Sequence, residues 1–428
     1  MKMRKLFIGV IQHLQKALTS ISFLVIVLSM ISVVFNLYVS LRVLDITNSP
    51  GKQTLVLFAY NSGYTLMSYA WRRLELSGES VKKLFVLLSI ALIPTVALVS
   101  ISQSFNIILV SFTLFSFLLA VLNPLTLSLI SKKTKRESEI SLKYNYYNSL
   151  GSTIGYILAG VFAGAINLGF LILILATIFL ASVTNVKKEV EVGLPKILTG
   201  PLPHHHSFHI SIDIFDKLMD IKYDVFYIRL FLRKLSLNLK RRYFLTLLGI
   251  FVFFIGVGLF FTPLPSMLVL TGLTKREIYI EYAFFNLFSI IGYKSISSLN
   301  LTFEKMYSVL SIATLARCIL FLLPSLIFIG LVEPNLWFIT TIIILVGYTW
   351  AFLGTTMLGI LLYLVAHNEK ARAASSFNAI SSLGTVIGSF LSTVIVTNYG
   401  VGYSYIASGL IAIVALILFI KARSAILS

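Results

Sequence analysis

Apolar runs of about 18 or more residues recur along the whole chain, and each is long enough to cross the hydrocarbon core of a bilayer as a helix. Backbone polar groups in lipid must be hydrogen-bonded within the protein, which helices achieve on their own. Only 12% of the residues are charged, against about a quarter in soluble domains. The sequence therefore predicts an all-α, polytopic membrane protein whose main surroundings are the lipid bilayer.

The hydropathy of the sequence places twelve candidate transmembrane spans. They lie at residues 19–41, 54–71, 83–103, 106–130, 146–166, 168–186, 244–270, 279–298, 307–330, 335–366, 379–398 and 402–420. The fifth and sixth spans are separated only by residues 165–169. If that break were absent, the chain would have eleven spans.

The basic residues predict the orientation of the chain. The net charge is +19, but these residues lie in short gaps between the apolar runs and do not form one face, so no nucleic-acid partner is expected. Of 35 Lys and Arg residues, 30 fall on one side of the predicted membrane and four on the other. Because cytoplasmic loops carry an excess of Lys and Arg, we expect a multi-pass protein of the cell membrane with both termini in the cytoplasm.

A long polar gap divides the chain near its middle. It predicts an N-terminal six-helix bundle at 1–186, a cytoplasmic linker at 187–243 and a C-terminal six-helix bundle at 244–428. Residues 212–242 space Ile, Phe, Leu and Tyr among Asp, Lys and Arg, as a basic amphipathic helix on an anionic membrane surface does. Joining the two bundles is the simplest role for this linker.

The two halves share an internal repeat. Residues 144–156 and 377–389 are identical at six of thirteen positions with a constant offset of 233, which pairs Asn145 with Asn378. Because the two segments occupy equivalent places in the fifth span of each half, they favour a duplication of a six-span unit over chance likeness. Such repeats predict two bundles that face each other.

Three further segments are informative: the basic run 131–136 before the Gly-rich fifth span, its counterpart Glu369, Lys370 and Arg372 before Gly384, and Thr262-Pro263 in the seventh span. These segments resemble those of the major facilitator superfamily. Residues 71–83 keep two basic pairs and a glycine of that family's signature between spans 2 and 3, but lack its aspartate. The resemblance implies two pseudo-symmetric six-helix bundles. It also implies a secondary transporter, independent of ATP, that moves a small solute by alternating access.

The resemblance also implies that spans 1, 4, 7 and 10 line a central cavity. The substrate-binding candidates on these spans and on span 2 are Asn36, Tyr38, Tyr60, Asn61, Tyr64, Asn123, Thr262, Tyr348 and Trp350. Amides, hydroxyls and aromatic rings suit a neutral, amphipathic or aromatic solute. Ordinary packing or an interfacial aromatic belt is the alternative for each aromatic residue.

Small residues at four- and five-residue spacing predict close helix contacts that also serve gating. These helix-packing and gating candidates are Gly151, Gly155, Gly160, Gly384 and Gly388, together with Asn145 and Asn378.

Charge within the spans is sparse. Arg317 lies deep in the ninth span, where it attracts an anion, pairs with a carboxylate or bonds neighbouring carbonyls. The acidic residues fall in loops or near span ends, and Glu281 is the nearest of them to the membrane interior. The sequence thus shows no evident buried carboxylate for a proton. It leaves open facilitated diffusion, another coupling ion, or a relay through Glu281.

The remaining motifs do not favour a metal site, a cofactor or an enzyme. His204, His205, His206 and His209 form a cluster without Cys or carboxylate, so no metal site is expected. No nucleotide-binding or hydrolase motif occurs, so we expect no cofactor and no enzyme. We expect a monomeric transporter. A non-transporting sensor of the same fold remains the alternative, and a membrane enzyme based on the histidines is third.

Overall fold

The computed structural model describes residues 21–71, 78–133, 137–163, 167–185, 237–299, 301–365 and 370–424. The first half has six helices. They are α1 (Ile21–Thr47), α2 (Pro50–Trp71), α3 (Gly78–Ile101), α4 (Phe105–Lys133), α5 (Glu137–Phe162) and α6 (Leu168–Asn185). Because α5 and α6 are separate helices, the eleven-span alternative is wrong.

The second half has six spans built from eight helices. They are α7 (Leu237–Phe261) with α8 (Leu264–Leu270), α9 (Lys275–Ser297), α10 (Phe303–Leu322) with α11 (Ser325–Phe328), α12 (Leu336–Tyr363), α13 (Lys370–Tyr399) and α14 (Val401–Ser424). The described part of the chain contains no strand. The fold is the predicted all-α membrane protein of twelve spans.

Two spans that the sequence predicts as single helices are interrupted at prolines. The seventh span breaks at Thr262-Pro263 and the ninth at Pro324. Proline lacks the N–H that the helix needs and its ring collides with the preceding turn. The ends also differ from the prediction, since residues 237–243, placed in the linker by the sequence, belong to α7. The rest of the predicted linker lies outside the described residues, and so does the histidine cluster.

Eight described helices are long and apolar enough to span a membrane by length and composition alone, and α6 is a shorter apolar helix. The remaining three spans, α2, α5 and α9, contain more polar residues. These three helices form contacts between the two halves, since α5 packs on α9 and α2 packs on α13. Some of their polar side chains, among them Gln53, Tyr156 and Tyr279, are therefore covered by protein and not by lipid.

Glycines pack the helices of each half with the same geometry. A Cβ atom at Gly151 would lie 2.4 Å from the carbonyl oxygen of Ile26 in α1, and one at Gly388 would lie 2.2 Å from that of Ile255 in α7. Gly155 faces Met30, and Gly384 faces Phe251. Gly151 and Gly155 correspond to Gly384 and Gly388 with an offset of 233 residues, and their contact partners on α1 and α7 correspond with an offset of 225 residues. The α1–α5 pair and the α7–α13 pair therefore repeat one packing arrangement, as a duplication requires.

Candidate functional site

The two halves meet at one end of the molecule, which we call the contact end and define by Asp45, Gly51, Lys275 and Thr397. The ammonium of Lys275 lies 2.5 Å from the carboxylate of Asp45. A Cβ atom at Gly51 would lie 3.4 Å from that of Thr397. The opposite end, where α6 ends and α7 begins, we call the linker end. The contacts between the halves described below run from the contact end to about the middle of the spans.

One arm of this interface is a hydrogen-bonded cluster around the break in the seventh span. Asn61 donates to the Ser389 hydroxyl at 2.8 Å, and the Thr262 hydroxyl donates to the same oxygen at 2.9 Å. Gln53 donates to the Thr262 carbonyl at 3.1 Å and accepts from Ser266 at 2.6 Å. We call these five residues the polar latch. It links α2 of the first half to the α7–α8 break and α13 of the second.

Pro263 explains why the latch forms at this position. Without an N–H, Pro263 leaves the carbonyl of Leu259 without its helical donor, and the Ser404 hydroxyl donates to that oxygen at 2.8 Å instead. The carbonyl of Thr262, at the end of the broken helix, is bonded by Gln53. Buried backbone acceptors need such partners, so the broken span is satisfied partly from its own half and partly from the other.

The other arm of the interface is aromatic. The Tyr156 ring of α5 lies 6.4 Å from that of Tyr279 and 5.3 Å from that of Tyr282, both on α9. A Cβ atom at Gly160 would lie 3.4 Å from the Cβ atom of Tyr279, an ordinary contact distance. Of the predicted packing glycines, Gly160 thus lies between the halves. The other four pack inside one half, which separates their role from contact between the bundles.

The first half brings together four predicted binding residues. Asn123 of α4 donates to the Tyr64 hydroxyl at 3.2 Å. The Tyr64 and Tyr60 rings stack with centroids 6.4 Å apart, and the Tyr60 hydroxyl lies beside Ser32 and Asn36 of α1. We call Asn36, Tyr60, Tyr64 and Asn123 the tyrosine–amide cluster. Its four side chains are half-buried.

The remaining binding candidates lie apart from this cluster. Asn61 and Thr262 belong to the polar latch, where they bond Ser389. Tyr38 is buried and accepts a hydrogen bond from Arg42 at 3.2 Å. Tyr348 and Trp350 are on α12, where the first contacts Phe352 and the second contacts Phe254 and Phe261.

Two predicted residues of the repeat have less defined positions. Asn378 is exposed on α13, and its backbone carbonyl oxygen accepts a hydrogen bond from the Ser381 hydroxyl. Asn145 belongs to α5, but its side chain is outside the described set. The described residues also contain no group of three or more His, Cys, Asp or Glu side chains that is arranged to hold a metal.

The second half buries two charges. Arg317 is 0% and Glu281 2% exposed, and they are the only charged side chains buried among the described residues. Arg317 donates to the carbonyl of Val346, and Thr340 donates to Glu281. One carboxylate oxygen of Glu281 has no partner in the described part of the chain. The expectation that no carboxylate is buried in the spans is therefore wrong, because the α9–α12 seam covers Glu281.

Three members of the polar latch, Gln53, Ser266 and Ser389, are not among the residues predicted from the sequence. A signal for one of them was present, because Ser389 occupies the same position in the repeat as Tyr156. Both residues lie on the interface, one in the polar arm and the other in the aromatic arm. This repeat position therefore lies on the contact surface in both halves.

Two similar six-span bundles that meet around a broken helix define the class of two-bundle secondary transporters. The sequence profile described as Major Facilitator Superfamily matches residues 19–358. The chain therefore belongs to the major facilitator superfamily. It is a secondary transporter, and no observation supports the non-transporting sensor.

Solved structures share this fold at low sequence identity. A POT family transporter in complex with a thioalcohol-conjugated peptide has a TM-score of 0.70 and 14% identity over 95% of this chain and 96% of that one. The nucleoside transporter NupG has a TM-score of 0.68 and 13% identity over 96% and 98%. The human organic anion transporter matches with a TM-score of 0.63 and 13% identity over 95% and 99%. None of the curated proteins matches the sequence.

Proposed function

We propose that the chain moves a small neutral, amphipathic or aromatic solute by rocking of bundles 1–186 and 244–428, joined by the linker 187–243. The observation that carries this proposal is the interface at the contact end, where the polar latch and the aromatic arm hold the halves together. Close glycine-to-backbone contacts, such as those at Gly151 and Gly388, lie inside each half.

The charge distribution supports an orientation for this cycle. We propose that the protein resides in the cell membrane as a monomer, with both termini and the linker end in the cytoplasm. The contact end then faces outward, so the structure represents a state closed to the outside. We further propose that the chain is not an enzyme and works without a cofactor.

The tyrosine–amide cluster is the proposed solute site. Its amides and hydroxyls supply hydrogen bonds, and its two stacked tyrosine rings supply flat apolar surface. Net charge is absent from these four side chains, which favours a neutral solute. Such a combination of aromatic walls and a few polar groups is typical of small-molecule sites.

Counterflow in proteoliposomes tests this function. We expect one member of a labelled panel of nucleosides, dipeptides and aromatic amines to exchange faster with protein than without it. Tyr64→Phe removes a hydroxyl and keeps the ring, so the apparent affinity should fall about threefold to tenfold, the effect of one hydrogen bond. Tyr363→Phe is the matched control, because Tyr363 is exposed at the linker end of α12. Equal affinities in both variants would contradict the assignment of the site.

Glu281 supports a second proposal, coupling of transport to protons. A buried carboxylate with one hydrogen bond is costly as an anion in a membrane, so we propose that Glu281 is protonated while the contact end is closed. Glu281 directly precedes Tyr282 of the aromatic arm on α9. Separation of α5 from α9 would admit water near the carboxyl group and allow the proton to leave.

Replacement of Glu281 by Gln tests this coupling. The neutral amide keeps the shape, so we expect counterflow to persist while accumulation driven by a pH gradient falls to the level without a gradient. The control is Glu277→Gln, because Glu277 caps the first turn of the same helix through Thr274. If the Glu281→Gln variant still accumulates solute in response to the pH gradient, the site that binds the coupling proton lies elsewhere.

A further inference from the structure

Arg317 is a buried cation that contacts one turn of α12 twice. Its side chain is 0% exposed. One guanidinium nitrogen donates to the carbonyl of Val346, and the central carbon lies 5.5 Å from the ring centroid of Trp350. Val346 precedes Trp350 by four residues, so its carbonyl is also the helical acceptor for the Trp350 backbone N–H. Arg317 therefore contacts both the backbone and the ring at this turn.

Aromatic rings supply partners that Arg317 lacks among hydrogen-bond acceptors. An arginine inside the membrane is costly unless it is paired. Nε and Nη1 of Arg317 have no hydrogen-bond partner among the described residues. The central carbon of the guanidinium also lies 5.4 Å from the ring centroid of Phe321, and aromatic faces at this range attract cations. The cation and the Trp350 indole thus restrain each other.

Trp350 keeps an available donor. Its side chain is half-buried. The indole N–H has no hydrogen-bond partner in the described part of the chain, yet it is not one of the fully covered polar atoms there. A tryptophan in this situation can offer a ligand both a flat apolar face and one hydrogen bond. Arg317 therefore restrains a side chain that is suited to binding.

Trp350 and its aromatic neighbours adjoin both arms of the interface. The Trp350 ring lies 6.2 Å from that of Phe261, which directly precedes Thr262 of the polar latch. The Phe261 ring lies 5.5 Å from that of Phe285 on α9. Phe285 follows Tyr282 of the aromatic arm by three residues. We call Phe261, Phe285 and Trp350 the aromatic wall.

The tyrosine–amide cluster has the equivalent position in the first half. Tyr60 directly precedes Asn61 of the polar latch. The hydroxyls of Tyr60 and Tyr156 are close enough to interact electrostatically, and Tyr156 belongs to the aromatic arm. The cluster and the aromatic wall therefore adjoin the same two arms from opposite halves, so that they border one space between the bundles.

We propose that Arg317 is a positioning residue that holds Trp350 in a second wall of the solute site, and that this wall receives an aromatic ring of the solute. The proposal rests on the proposed function, because it extends the same site into the second half. Arg317 is fully covered and acts only through Trp350. The hydrogen-bonding group of the solute lies at the tyrosine–amide cluster. The solute class is therefore an aromatic molecule with a separate polar group.

Fluorescence of Trp350 tests the positioning role without any solute. The chain has three tryptophans, so Trp71→Phe with Trp337→Phe leaves Trp350 as the reporter in the full-length protein. In this background, Arg317→Met removes the cation and keeps an unbranched side chain. Time-resolved anisotropy should then show a larger amplitude of fast indole motion, and Arg317→Lys should restore part of the rigidity. An unchanged anisotropy in the Met variant would overturn the proposal.

Tyr307→Phe is the matched control for general loosening of α10. Tyr307 is buried, and its hydroxyl is hydrogen-bonded to that of Thr246 at 2.9 Å. It lies ten residues before Arg317, which is about 15 Å along a helix. Its loss should weaken α10 and leave the Trp350 anisotropy unchanged. Equal loosening by Tyr307→Phe and Arg317→Met would contradict a specific role. Arg317→Gln replaces the Met variant if that variant does not fold.

Counterflow tests the consequence for the solute. The probe pairs are uridine with dihydrouridine, alanyl-phenylalanine with alanyl-cyclohexylalanine, and phenethylamine with cyclohexylethylamine. In the pair that exchanges, the aromatic member should have the lower half-saturation concentration. Arg317→Met should raise that concentration about twofold to fivefold, the effect of one cation–π contact, without lowering the maximal rate. Equal half-saturation within the pair would exclude the aromatic wall. If no pair exchanges, the proposed function itself fails, and the anisotropy alone decides the role of Arg317.

A double-mutant cycle shows whether Arg317 acts through Trp350. Trp350→Leu removes the ring and should raise the half-saturation concentration of the aromatic probe about tenfold. Adding Arg317→Met to this variant should change it further by less than about twofold, because the intermediary is already absent. Effects of the two substitutions that multiply independently would show that Arg317 does not position Trp350 for binding.

Discussion

Oxidation of a Gly51→Cys, Thr397→Cys variant should abolish solute uptake, and reduction should restore it. The two Cβ atoms would lie 3.4 Å apart, close to the separation of about 3.5–4.5 Å that disulfides adopt. The bond would join α2 to α13 across the two halves at the contact end. Since alternating access requires this end to open, the locked protein should complete no cycle.

A second cross-link tests the other arm. Gly160→Cys with Tyr279→Cys also places Cβ atoms 3.4 Å apart across the halves, and it should block uptake in the same way. Met30→Cys with Gly155→Cys is the matched control, at 3.3 Å within the first half. All three are made in a Cys318→Ala background, since Cys318 is the one native cysteine. Uptake that survives both cross-links between the halves would exclude opening at the contact end.

Gly388→Ala should destabilise the protein more than Gly354→Ala does. The added Cβ would lie 2.2 Å from the carbonyl oxygen of Ile255, a backbone atom that moves only with α7. Overpacking of this kind costs about 1–3 kcal/mol and sometimes more. We expect a lower yield of folded protein and a clearly lower apparent Tm in detergent, measured at one scan rate because membrane proteins often unfold irreversibly.

Gly354→Ala provides the control for this prediction. Its nearest neighbour would be the Tyr293 hydroxyl at 3.9 Å, so the methyl group fits. Alanine is also the better helix former by about 1 kcal/mol. The apparent Tm should therefore stay the same or rise. Equal losses for Gly354→Ala and Gly388→Ala would show that the α7–α13 contact is looser than the structure indicates.

The sequence predicted the fold because the bilayer restricts it so strongly. Twelve apolar segments and a repeated Gly-rich segment are enough to define two six-helix bundles. The ends of the helices were less predictable. For example, α13 begins at Lys370, nine residues before the apolar part of that span, because hydropathy detects contact with lipid and a helix continues into water.

The site was harder to predict, because hydropathy does not show which helices touch. Asn61 and Thr262 were expected to face a solute, yet they bond Ser389 across the halves. Glu281 was expected near a loop, yet Thr340 and the α9–α12 seam enclose it. In both cases the deciding partner lies far away in the sequence, on a helix whose rotation the sequence alone does not define.

The break at Thr262-Pro263 gives the seventh span an unusual dependence on the opposite half. The Thr262 carbonyl is bonded by Gln53 only while the halves are together at the contact end. When the halves part, that oxygen needs another donor, such as water. The proline thus makes the hydrogen bonding of one backbone carbonyl in the second half depend on contact with the first half.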